Sequence, residues 1–121
     1  IIDYAAILIW IIGFSFEAGG DYQLSKFKSN PENKGKVLDS GFWKYTRHPN
    51  YFGDGLQWIA FALFSVANSC YLPLLSAILM NFLLVKISGV ALLEKTLSKT
   101  KPQYAEYIRK TPAYIPWFPK K

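Results

Sequence analysis

The apolar positions of this chain are bunched rather than spread at a period of 2 or 3.6 residues. No charged residue occurs from Gly55 to Val85, a run of 31, and a second uncharged run of 13 spans Tyr4 to Phe16. A bilayer-crossing helix needs about 20 predominantly apolar residues. The long run, extended through Leu93, therefore fits two helices and a tight turn, and the first run fits a helix that continues into polar residues. The pattern predicts an all-α, multi-pass transmembrane protein with about three membrane helices, over 2–27, 50–67 and 72–94. A loop over 28–49 and a tail over 95–121 carry short amphipathic helices. The first helix starts abruptly at Ile1-Ile2 without a Met, so the chain reads as a C-terminal fragment. A signal peptide is the competing reading, but no basic region precedes the stretch and no small-residue cleavage site follows it.

Local signals refine the boundaries. Pro49 predicts the start of the second helix, because proline suits the first helical position and drives His48 to extended geometry. Ala67 to Pro73 forms a short turn. Gly13, Gly19 and Gly20 leave room for close helix packing. Residues Pro102 to Lys110 form a short amphipathic helix. The tail after it is too proline-rich for regular structure, and its aromatics place it back on the membrane face.

Charge supplies an orientation. Six Lys/Arg fall in 21–54 and seven in 94–121, with none between helices two and three. The positive-inside rule then places both basic segments in the cytosol. The net charge of +6 would also suit a nucleic-acid partner, but apolar runs of this length favour a membrane, and no nucleic acid is expected. One cysteine, Cys70, and one histidine exclude an internal disulfide and a zinc or haem constellation. No metal is expected.

The densest polar cluster is Tyr45-Thr46-Arg47-His48-Pro49-Asn50-Tyr51-Phe52-Gly53-Asp54. A guanidinium beside a helix start, with its unpaired N–H groups, makes a phosphate or carboxylate site. The plainer alternative is a surface loop with Arg47 meeting lipid headgroups. Glu17 and Asp21 lie deep enough in helix one to be costly unless used or paired. They serve either as acceptors for ribose hydroxyls or as members of an ion pair with Arg47 or Lys86. Lys86 itself either joins such a pair or snorkels to the surface. Glu94, Tyr104, Tyr107 and Arg109 form a third cluster. Tyr104 and Tyr107 share a helix face and could cap an adenine or ribose while Arg109 meets a phosphate, or the face is simply interfacial. The chain has no glycine-rich dinucleotide fingerprint or P-loop.

On these residues the chain resembles the C-terminal region of steroid 5-alpha-reductase-like proteins, in their bacterial-type branch. The carriers are Glu17, Asp21 and Leu24, the run Gly41 to Asp54 with Trp58, then Leu93-Glu94-Lys95, Pro102, Tyr104, Tyr107 and Ile115 to Pro119. The same superfamily holds sterol C14 reductases and isoprenylcysteine carboxyl methyltransferases. The resemblance implies a membrane-bound reductase of a lipid or steroid-like C=C bond that holds NADPH in a cytosol-facing cavity. It assigns cofactor contact to Asp21, Lys28, Asn50 and Asp54; together with the polar clusters above, the expected cofactor-binding residues are Asp21, Lys28, Arg47, His48, Asn50, Tyr51, Asp54, Glu94, Tyr104, Tyr107 and Arg109. Lys28 stands where the steroid reductases have a phosphate-binding arginine, Glu17 where they have an asparagine, and Asp54 replaces a glutamate. The substrate-polarising residues would lie in earlier helices of the same protein, outside this fragment. The alternative is an S-adenosylmethionine-dependent methyltransferase in which His48, Tyr51 and Glu94 line the cofactor. Either enzyme would take a hydrophobic small molecule from the bilayer.

Overall fold

The computed structural model describes residues 1–87 and 89–120, and these are helical with no strand among them. Helix α1 spans Ile2–Lys28, α2 spans Pro49–Ala67, α3 spans Pro73–Phe82, α4 spans Val90–Thr100 and α5 spans Tyr104–Lys110. A π-helical turn, Leu83–Ile87, follows α3. Two helical runs are long and apolar enough to cross a membrane, Ile2–Lys28 and Pro73–Thr100. The first, of 27 residues, is about 40 Å long at 1.5 Å per residue and exceeds a hydrocarbon core of about 30 Å. Helix α2 is the expected second span. Its 19 residues open with Pro49, Asn50 and Asp54, and this polar start keeps it out of that pair.

Pro49 occupies the first turn of α2, but His48 ahead of it is not in the extended geometry expected: its φ of −139° and ψ of 63° lie outside that region, where its N–H reaches the Thr46 hydroxyl at 3.2 Å. The third expected helix, 72–94, is not one continuous α-helix. It passes through the π-helical turn and restarts at Val90 after Gly89, whose carbonyl opens the new ladder to Leu93 N. Ser88, within that expected span, lies outside the described residues, as does Lys121. The restart carries α4 on to Thr100, one and a half turns beyond the expected end.

Helices α1 and α2 form the main packing unit, and they meet backbone to backbone. A Cβ on Gly13 would stand 2.8 Å from Gly53 O and 2.9 Å from Leu56 Cβ, and one on Gly53 would collide with Gly13 O and Glu17 N. Glycine is required where two helix backbones approach this closely. Most large apolar side chains of α1 and α3 stay exposed, among them Leu8, Ile11, Phe14, Leu75, Ile78 and Leu79. Such a belt suits a lipid environment.

The loop 29–48, α5 and the tail gather where α1 ends and α2 begins. Trp43 is buried there and donates its indole N–H to Gly20 O at 3.0 Å. The proline-rich tail has no regular structure, as expected, but it is pinned as a strap. Arg47 N donates to Pro112 O at 2.8 Å, Thr46 Oγ1 to Tyr114 O at 2.8 Å, and Trp117 N to Tyr45 O at 3.0 Å.

Tyr114 of the strap inserts between α2 and α3, where its hydroxyl donates to Asn81 Oδ1 at 2.6 Å. Burial, with a smaller contribution from Asp54, pushes its phenol up to about 12. A raised acid group adds stability that is present below its unfolded value, near 10, and lost as pH rises through about 12. Alkaline unfolding of Tyr114→Phe, followed by circular dichroism, is expected to show a flatter loss of stability over that window than the parent protein.

Candidate functional site

The site is built on the turn that leads into α2. Thr46 is fully buried and its hydroxyl works twice, donating to the strap and accepting from His48 N at 3.2 Å. This local bond fixes the backbone step before Pro49. Tyr107 of α5 closes the turn from above, with its hydroxyl against Trp43 O at 2.5 Å and Thr46 O at 3.3 Å. Arg47 and His48 are thus held, both buried, by their own backbone neighbours.

Their side chains converge on one oxygen. Glu94 Oε2 lies 2.5 Å from Arg47 Nη1 and 3.0 Å from His48 Nε2, and accepts from the Tyr104 hydroxyl at 3.2 Å. A carboxylate can only accept here, so Nε2 carries the hydrogen. The imidazole also stacks on Tyr51, with centroids 5.5 Å apart and 18° between the planes. The Arg47–Glu94 pair is close in distance, yet the N–H of Nη1 is not aligned as a hydrogen bond. Nη1 and Nε of Arg47 and Nδ1 of His48 are buried without a hydrogen-bond partner. Buried polar atoms are rarely left so.

These residues line a cavity of about 90 Å³, together with Lys28 from the end of α1, Lys101 beyond α4, and the phenols of Tyr104 and Tyr107. Leu93 and Leu97 of α4 form part of its apolar wall. Burial and, secondarily, the nearby Lys28 charge push the Lys101 ammonium down from its ordinary value. Two ammoniums stand in this small space beside a guanidinium that is already paired with Glu94, so the local charge is net positive and suits an anion. Burial holds the Tyr104 and Tyr107 phenols far above their ordinary range, so both are neutral hydrogen-bond donors.

A second polar row runs along the α1–α2 seam. Asn50 Nδ2 donates to Asp21 Oδ1 at 3.0 Å and Gln57 Nε2 donates to Glu17 Oε2 at 3.2 Å, with Asp54 one helical turn after Asn50. The row begins in the first turn of α2, directly after the cavity residues Arg47 and His48. The expected site residues therefore divide in two. Lys28, Arg47, His48, Tyr104 and Tyr107 line the cavity, Glu94 is bonded to Arg47, His48 and Tyr104 without lining it, and Tyr51 stacks on the imidazole. Asp21, Asn50 and Asp54 lie on the seam. Arg109 is placed elsewhere, on the outer face of α5, where it pairs with Glu106 at 2.6 Å. Glu17 accepts from Gln57, and among the described residues no ion pair joins it to Arg47 or Lys86.

Sequence reasoning missed Lys101, Thr46 and Trp43 at this site. Lys101 looked like any tail lysine, and only the restart of the helix at Val90 carries it to the cavity. Thr46 and Trp43 had a signal in their position beside Arg47-His48-Pro49, but their roles depend on the strap and on α1.

A phosphate-bearing group fits part of this arrangement. The unspent Arg47 donors with Lys28 and Lys101 suit phosphate oxygens, and the seam offers acceptors for hydroxyls. The cavity is well below the roughly 300–1,000 Å³ of whole-ligand sites, so it takes a phosphate-sized group and not a dinucleotide.

The comparisons agree with a reductase-like membrane architecture. The chain is 31% identical over 123 residues to a Delta(14)-sterol reductase of Arabidopsis thaliana, which covers 91% of the chain and 31% of the relative. The chain thus spans about a third of the length of that curated relative. No solved structure matches. This likeness and a match of residues 1–111 to a family model support the steroid-reductase-like superfamily and a membrane protein. By that second match, which takes in all five helices and the first residue of the strap, the chain belongs to the family described as "Protein of unknown function (DUF1295)".

Proposed function

We propose that this chain forms the cofactor-binding end of a membrane-bound, NADPH-dependent reductase acting on a C=C bond of a lipid or sterol-like substrate. In this reading the basic loops face the cytosol. The observation that carries it is the buried Arg47 guanidinium, with donors unspent, in a cavity flanked by Lys28 and Lys101. Three cations around one phosphate-sized space suit a multiply phosphorylated dinucleotide better than a methyl donor, which brings a sulfonium cation of its own. The relative's description as a sterol reductase supports the same reading.

When bound, the cofactor supplies the hydride. The chain's own residues bind and orient. Lys28, Lys101 and Arg47 take the phosphate charge, and His48 Nδ1 offers one more polar contact to the bound group. Asp21 with Asn50 and Glu17 with Gln57 take hydroxyl or amide groups along the seam. Glu94 holds the Arg47 and His48 side chains in place. Tyr104 and Tyr107 are committed to Glu94 and to backbone carbonyls, so neither is spare to protonate a substrate. The acid that polarises the substrate is assigned to a part of the longer relatives that this chain does not span.

The test is ligand-induced thermal stabilisation of the intact protein in detergent, with NADPH, NADH and S-adenosylmethionine. A ligand at 100 times its Kd adds about 2.7 kcal/mol. The expected order is NADPH first; stabilisation by S-adenosylmethionine alone would give the methyltransferase reading instead. Lys28→Ala is expected to weaken NADPH binding about tenfold or more, the loss of a charge-assisted hydrogen bond. Lys95→Ala, on the exposed face of α4, is expected to leave it unchanged. Equal effects of the two would remove the cavity from the cofactor site.

A further inference from the structure

The strap presents a row of large apolar side chains that nothing in the fold covers. Ile115 is 69% exposed, Trp117 70% and Phe118 71%. They are held in place and are not on a loose tail. Trp117 N is bonded to Tyr45 O, and Lys120 N to Lys110 O at 2.8 Å. Phe118 packs edge-on against Tyr45 at 6.2 Å and against Trp117 at 5.9 Å. Rigid exposed aromatics cost little entropy to dock, and Trp and Tyr favour the headgroup layer.

Cations frame the row. Lys44 Nζ stands 5.8 Å over the Tyr45 ring, and Lys44, Lys110 and Lys120 border one open hollow. The acids on this side are Asp39, in the same hollow, and Glu106, which is already bonded to Arg109 at 2.6 Å and lies 3.5 Å from Lys110. The balance is basic. The row also lies at the right depth. Tyr45 shares a shallow hollow with Phe16, Gln23 and Phe42, at the level where α1 passes from its uncharged run to its polar end.

We propose that Tyr45, Ile115, Trp117 and Phe118, with Lys44 and Lys120, form a preformed docking platform for an anionic lipid surface. The aromatics sit among the headgroups and the two lysines bind their phosphates and carboxylates. The partner is a bilayer leaflet, and the platform is distinct from the cavity and independent of the cofactor reading. Charge complementarity and continuity with the exposed apolar belt of α1 select this occupant over another protein segment.

The experiment places the intact protein in nanodiscs doped with brominated phosphatidylserine or, in parallel, brominated phosphatidylcholine, and reads tryptophan fluorescence. Trp10 and Trp58 lie in helices and quench in both, so Trp117→Phe isolates the strap by difference. The expected result is a Trp117-dependent component quenched preferentially by the brominated serine lipid. Lys44→Gln and Lys120→Gln should each reduce that preference roughly fivefold. A Trp117 component open to aqueous iodide and untouched by either lipid would overturn the proposal by placing the strap in water. One shielded from iodide and from both lipids would overturn it by showing a protein cover. Equal quenching by the two lipids would also overturn it.

Discussion

Glu94→Gln is expected to destabilise the protein by about 3–5 kcal/mol, the cost of leaving a buried ion without its counter-ion. The Arg47 side chain is 9% exposed and that of Glu94 18%. Glutamine keeps the volume and one acceptor but removes the charge that Arg47, His48 and Tyr104 all address through Oε2. Chemical unfolding in detergent measures it, with Lys95→Ala as the reference for an exposed position on the same helix, expected within about 0.5 kcal/mol of the parent. Replacing both partners by apolar residues, as in Arg47→Met with Glu94→Leu, removes the burial penalty along with the pair. It should recover only part of the loss, because His48 Nε2 and the Tyr104 hydroxyl lose their acceptor. A Glu94→Gln protein as stable as Lys95→Ala would mean that solvent reaches the pair.

Gly53→Val is expected to be of similar size, about 3 kcal/mol, by a different route. Overpacking a tight contact typically costs 1–3 kcal/mol and more where nothing can yield. The atoms a Cβ would strike, Gly13 O and Glu17 N, are backbone of the facing helix, so the α1–α2 pair must part. Parting it separates Asp21 from Asn50 and Glu17 from Gln57, and the seam opens together with the helix contact. Gly35→Ala is the matched control. It has φ of +81° and open space around it, so only the left-handed backbone penalty of about 1–2 kcal/mol applies. Unfolding of the two variants side by side separates steric from conformational cost. Equal losses would argue against the backbone contact.

Much of this was legible along the chain because it is local. The uncharged runs set the helices, Pro49 set the start of α2, and the crowding of Arg47 and His48 against it marked the site. What was not legible is tertiary. Glycines at 13 and 53 each suggested close approach, but nothing in either segment says that they face one another. Glu94 was expected along the cofactor, but nothing local says that its carboxylate would meet His48, 46 residues away, and the neighbouring Arg47. Arg109 was expected at a phosphate, and its neighbour Glu106, three residues back, claims it instead. The break between α3 and α4 was hidden because apolar residues continue through it. Gly89 and Lys86 stood out in composition, but a π-helical turn has no period of its own to read over five residues.

The single oxygen of Glu94 that serves three donors has a consequence for how the protein is made. Arg47 and His48 leave the ribosome well before α4 does. Until Glu94 arrives, the Arg47 guanidinium lacks its counter-charge, and the turn that carries it lacks the strap as well. A chain cut short before Glu94 keeps its most hydrophobic helices and still presents this orphan cation. Completeness of the C-terminal third is therefore written into the electrostatics of the middle, and a truncated product differs from a finished one in charge before it differs in shape.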